Sequence, residues 1–104
     1  MAQFFTTKEL ERYIKENYID HLLTYMGETE DRYGKGFIYY REESTNDYEG
    51  TFIYSDVKGY HYVYMEKNSV QVHRVMQDVF DICYLVLECY VFHYADDYAA
   101  CHYE

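Results

Sequence analysis

Few residues of this chain could do chemistry. Cys89, His93 and Asp97 stand at successive intervals of four near the C-terminus. On a helix that spacing sets a thiol, an imidazole and a carboxylate along one side. A cysteine beside a base, oriented by a third group, is the arrangement of nucleophilic catalysis. Side chains four apart on one helix project in parallel, however, and do not converge on a substrate. Cys89 with His93, and Cys101 with His102 further on, also offer metal donors. A structural zinc site pairs close-spaced ligands in two clusters, and this is one loose pair within an apolar run. No metal and no cofactor is expected. His61 and His73, with Glu66, are candidates for acid–base work, but histidine is common in strands and no pocket follows from them. Gly34 and Gly36 precede a strand-like run instead of opening a helix, so they form no phosphate loop. A non-enzymatic protein is expected.

Tyrosine and carboxylate are the chemistry this chain has in quantity. There are sixteen tyrosines, and nineteen acidic against nine basic residues give a formal net charge of −10. Such a surface repels nucleic acid and anionic membranes and attracts a basic partner. In "GYHYVYME", Tyr60, Tyr62 and Tyr64 alternate, which lines one face of a strand with phenols. A contiguous tyrosine strip left in water is a candidate contact surface, because tyrosine is enriched at interface hot spots. "ETEDRY" and "EESTNDYEG" set Glu28, Glu30, Asp31, Glu42, Glu43, Asp47 and Glu49 in or near loops beside it. Carboxylates there would sit where phosphates lie in a cationic nucleic-acid cleft.

The elements must then hold that strip. Thr6 with Glu9 forms a capping box, Phe5 with Leu10 a hydrophobic staple, and Leu10, Ile14, Tyr18, Leu22 and Tyr25 a helical stripe that Gly27 ends. The polar run at 28–36 reads as a loop. Strand-like runs follow at 37–41, 51–55, 60–66 and 70–75, joined by "ESTND", "DVKG" and "KN". A final helix begins near Asp78, with Val79, Ile82, Cys83, Val86, Tyr90 and His93 on one side. Phe80, Leu87 and Val91 widen its apolar arc, so it should be largely buried. The 104 residues suit one domain, 1–104. The expected fold class is α+β: a four-stranded antiparallel meander with N- and C-terminal helices packed on one face.

If Lys67 and Asn68 turn a hairpin, Met65 faces Val70 and Val63 faces Val72 on a dry face. Tyr64 then meets Gln71, and Tyr62 meets His73, on the other. A bulge at Gly59 would set Tyr54 and Phe52 beside Tyr60 and Tyr62. The helices would cover Ile38, Ile53, Val63, Met65, Val70 and Val72 and leave the tyrosines open. The expected partner-binding set is Tyr54, Tyr60, Tyr62, Tyr64, His73, Glu66, Asp47 and Glu49. The opening residues lack a basic region followed by an apolar run, no charge-free stretch is long enough to span a bilayer, and the three cysteines are an odd count. A cytoplasmic protein is expected.

Over residues 59–102, "YHYVYMEKN", then "HRV", then "DVFDICYLVLE" and the pair Asp97–Tyr98 follow in that order. In these the chain resembles a group of small bacterial immunity proteins from polymorphic toxin systems, immunity protein family sixty-three, which often have tryptophan where this chain has Leu85. The resemblance implies a non-enzymatic inhibitor that binds a cognate toxin protein. A nuclease toxin, with its basic cleft, would suit the acidic surface. A phage-encoded anti-defence inhibitor acting as an acidic nucleic-acid mimic predicts the same surface. A small enzyme using His73 or the Cys89–His93 pair predicts activity without any partner.

Overall fold

The computed structural model describes residues 4–41, 49–67 and 69–102, the last four by their helical backbone alone. The first helix, α1 (Thr7–Ile14), starts as its sequence dictates. The Glu9 amide donates to Thr6 Oγ1 at 3.2 Å, and Glu9 Oε1 accepts from the Thr6 amide at 3.0 Å. A π-helical turn, Lys15–Ile19, then leads into α2 (Asp20–Tyr25). That turn changes the buried stripe. An extra residue rotates the following face, so Leu10, Ile14, Ile19 and Leu23 are buried, with the step of five at the π turn. Tyr25 is 90% exposed in consequence. Gly27 takes φ 75° and closes the helix. The Glu28 amide donates to the Leu23 carbonyl and the Gly27 amide to that of Thr24, a Schellman end. A short helix, α3 (Gly34–Phe37), takes the end of the expected loop and Phe37, the first residue of an expected strand.

Four strands make one sheet in the order β1 (Ile38–Tyr40), β2 (Gly50–Asp56), β3 (Gly59–Glu66), β4 (Ser69–Met76). The sheet is mixed, which corrects the all-antiparallel meander: β1 runs parallel to β2, and only β2, β3 and β4 alternate. The link between β1 and β2, 41–49, is longer than a hairpin loop of two to five residues, so its length does not force antiparallel pairing. The "ESTND" turn expected there lies outside the described residues. The β2–β3 turn has Asp56 Oδ1 accepting from the Lys58 amide at 2.8 Å. Gly59 has φ 134°, and a Cβ there would stand 2.5 Å from the Met76 carbonyl, so only glycine fits.

No bulge occurs at Gly59; Asp56 pairs directly with it, which sets Ser55 beside Tyr60 and Ile53 beside Tyr62. The irregularity lies in β4 instead. Met65 pairs with Val70 as expected, but Tyr64 pairs with Val72, so Gln71 is the extra residue. Beyond it Val63 faces His73 and Tyr62 faces Arg74.

The last helix, α4 (Val79–His102), follows Asp78, whose Oδ1 accepts from the Phe80 amide at 2.9 Å. The main core joins Leu10, Ile14, Ile19 and Leu23 to Ile38, Ile53, Tyr60 and Met76 of the sheet and Ile82, Cys83, Val86 and Tyr90 of α4. Ile53, Tyr60 and Tyr62 therefore share the helix-covered face. Phe52, Val63 and Met65, on the opposite face, form a second buried cluster with Tyr39 and Tyr54 against it. Val70 and Val72 are exposed, in contrast to their expected place in the dry face. Among the described residues no helix is long and apolar enough to cross a membrane.

Candidate functional site

Tyr60 and Tyr62 lie under the helices, so they do not form the open surface expected for the tyrosine row. Tyr60 is 4% exposed. Its hydroxyl accepts from the Phe5 amide at 3.0 Å, and its ring meets Phe4 edge-on at 5.2 Å. Tyr62 is half-buried, and its hydroxyl lies 3.0 Å from Cys89 Sγ of α4. Burial, and then the Cys89 thiol, raise its pKa above the ordinary tyrosine range. Tyr64, also half-buried, is paired with Thr51 and Val72. The cause is register. Without a bulge at Gly59, the tyrosines share a face with Ile53, and that face takes the helices.

Tyr54 and His73 belong to the other face, where β2, β3 and β4 assemble a hydrogen-bonded chain. Asp56 Oδ1 lies 2.8 Å from His61 Nε2, and His61 Nδ1 lies 3.0 Å from His73 Nε2. The Tyr54 ring stacks on His61 at 4.2 Å and 9°. His61 is buried and His73 exposed. The hydrogen bond from His61, and then the Lys58 amide, hold the Asp56 carboxyl below the usual carboxylate range. Because a carboxylate faces His61 Nε2, that nitrogen carries a proton. Residues of three strands thus form one hydrogen-bonded chain that spacing alone does not reveal.

The remaining expected residues scatter. Glu66 is exposed at the end of β3, paired with Ser69. Glu49 is exposed too, and its Oε1 accepts from the Lys67 amide at 3.3 Å, so both acids sit by the β3–β4 turn. Asp47, Glu42 and Glu43 lie outside the described residues.

Cys89, His93 and Asp97 do not form a nucleophilic triad. The thiol is taken by Tyr62, while the His93 ring stacks on Tyr33 at 4.3 Å and its Nε2 is 3.4 Å from Asp97. Burial pushes the Cys83 thiol up to about 11, which leaves it protonated and inert at neutral pH. The side chains of Cys101 and His102 lie outside the described residues. Among the described residues no group of three or more His, Cys, Asp or Glu is placed to hold a metal. Tyr90 ties α4 to the segment before α3: its hydroxyl donates to Asp31 Oδ2 at 2.5 Å, while Asp31 Oδ1 accepts from the Gly34 amide. A cavity of about 400 Å³ opens by the π turn between Glu11, Lys15, Asp20, Asp31, Lys35 and Arg41. Its carboxylates and cations are equal in number and select no ligand by charge.

Sequence reasoning missed the outer side of α4. The helix is not largely buried: Phe80, Tyr84, Val91, Phe92 and Tyr98 are each half exposed or more. A warning was present in the sequence. The inner stripe is already complete, so further apolar positions must lie outside it. From Val79 to His102 the helix carries Asp81, Glu88, Asp96 and Asp97 and no lysine or arginine. The fold and this face define a small α+β protein with an acidic, partly apolar exterior. No family model, curated protein or solved structure matches the chain.

Proposed function

We propose that this chain is a non-enzymatic inhibitor that binds and neutralises a cognate bacterial toxin domain with a cationic surface, in the bacterial cytoplasm. The observation that carries this reading is charge. Ten more acidic than basic residues, on a chain of 104, make an exterior suited to a basic protein. Glu16, Asp20, Glu49, Glu66, Asp81 and Asp96 all stand exposed. A nuclease toxin presents such a basic cleft, and the likeness of residues 59–102 to immunity proteins points the same way. The contact moves from Tyr60 and Tyr62, which the core uses, to exposed acids and the outer side of α4.

The test is co-expression with the C-terminal domain of a toxin gene lying beside this one in the source genome. Restored growth and a stoichiometric complex are expected, with association slowing as salt screens the charges. Undiminished killing, or the absence of any such neighbouring gene, overturns the reading. The Asp56–His61–His73 chain favours a second reading, a small acid–base enzyme with His73 at the surface. That reading requires turnover by the isolated protein that His73→Ala abolishes.

A further inference from the structure

α4 buries one side and keeps a second apolar row outside it. Ile82, Cys83, Val86 and Tyr90 face the core. Phe80, Tyr84, Leu87, Val91 and Tyr98 follow at intervals of four, three, four and seven residues. At the pitch of an α-helix these five fall within about 60° of arc. Phe80, Tyr84, Val91 and Tyr98 are 62%, 66%, 50% and 64% exposed, and Leu87 is half-buried. This is the spacing by which one helix seats another. A contiguous apolar row of this kind in water marks an interaction site more often than scattered single residues do.

Charge selects the occupant. Asp81 and Glu88 border the row, and α4 has no lysine or arginine. Two copies laid row to row would set carboxylate against carboxylate, with no cation on either helix to offset them and a net charge of −10 on each chain. Flanking charges of opposite sign determine which helices pair.

We infer that the outer row of α4 seats a basic amphipathic helix of a partner protein, an apolar stripe flanked by lysine or arginine. The inference rests on the function proposed above and adds the place and form of the contact. Asp81 and Glu88 also line an open groove of about 320 Å³ with Arg74, Met76, Tyr84 and Leu85. Arg74 offsets part of their charge, so the apolar row sets affinity and the carboxylates set orientation.

The probe is a set of synthetic helical peptides about three heptads long. One carries a leucine stripe flanked by lysine, the second the same stripe flanked by glutamate, and the third the lysines with alanine in place of leucine. Titration by calorimetry is expected to show the lysine–leucine peptide binding at least about tenfold tighter than the other two. The double change Tyr84→Ser/Val91→Ser should weaken that peptide at least about tenfold without altering the circular dichroism, since both side chains are exposed. Binding that survives the double change overturns the seam while leaving the cationic-partner reading intact. Preference for the glutamate peptide, or dimerisation of the protein alone that the double change abolishes, gives the row to another occupant and overturns the inference. Failure of the lysine–leucine peptide to bind also overturns it, and the proposed function then stands on the co-expression test alone.

Discussion

Raising the pH should unfold this protein steeply, because the fold keeps phenols protonated. Burial, then the Cys89 thiol, pushes Tyr33 up to about 12. Tyr40 is raised further by burial and then Glu11, Tyr62 by burial and the thiol of Cys89, and Tyr90 by burial and its bond to Asp31. In the unfolded chain each ionises near about pH 10. A folded pKa above the unfolded one gives stability that is complete below the unfolded value and is lost as pH rises through the folded value. Each such group lowers stability by about 1.4 kcal/mol per pH unit above the unfolded pKa. The four together give about 5.5 kcal/mol per unit, reduced to about 3–4 where water reaches the partly covered rings. Set against a typical stability of about 5–15 kcal/mol, a fold in the lower half of that range should be lost between about pH 11 and 13. Phenolate absorbance and far-ultraviolet circular dichroism should change together, in one cooperative step, for these tyrosines. If all sixteen tyrosines ionise smoothly near about pH 10 while the dichroism holds, the phenols are not in the core and the reasoning fails.

Three further outcomes follow from particular contacts. Tyr62→Ala should cost about 3–5 kcal/mol of stability in the absence of any partner, read by denaturant titration; a loss below about 1 kcal/mol would return that ring to the surface. Gly59→Ala should cost about 1–3 kcal/mol from its positive φ and the Met76 carbonyl, and an unchanged melting temperature would contradict that geometry. Asp56→Asn should destabilise at neutral pH. Because the folded Asp56 pKa is depressed, its stabilisation is present above the unfolded value and lost as pH falls through the folded one. The gap in melting temperature between wild type and variant should therefore narrow as pH falls below the unfolded value of about 3.9, and a constant gap would refute the His61 contact as its cause.

Local chemistry was legible in the sequence, and long-range registration was not. The Thr6–Glu9 box, the Gly27 end, the Asp56–Gly59 turn and the pairing of Met65 with Val70 are each set by residues within a few positions of one another. Two single-residue insertions were invisible. The π turn at Lys15–Ile19 shifted burial from Tyr18 and Leu22 to Ile19 and Leu23. The bulge at Gln71 moved His73 opposite Val63. A third expected insertion, at Gly59, did not occur, and side-chain period two turns one such error into a wrong face for a whole strand. That is why the tyrosine row was placed in water. The His61–His73–Asp56 chain escaped for the same reason, since it depends on two strand pairings at once.

Radical footprinting of aromatic side chains tests the central claim, that Tyr60 and Tyr62 of β3 are core and the outer row of α4 is the contact surface. In the protein alone, Phe80, Tyr84 and Tyr98 should label quickly and Tyr60 and Tyr90 slowly. With the lysine–leucine peptide bound, Phe80 and Tyr84 should slow, while Tyr25, 90% exposed at the end of α2, keeps its rate. Fast labelling of Tyr60, or a bound state in which Tyr84 labels as freely as before, would contradict the account.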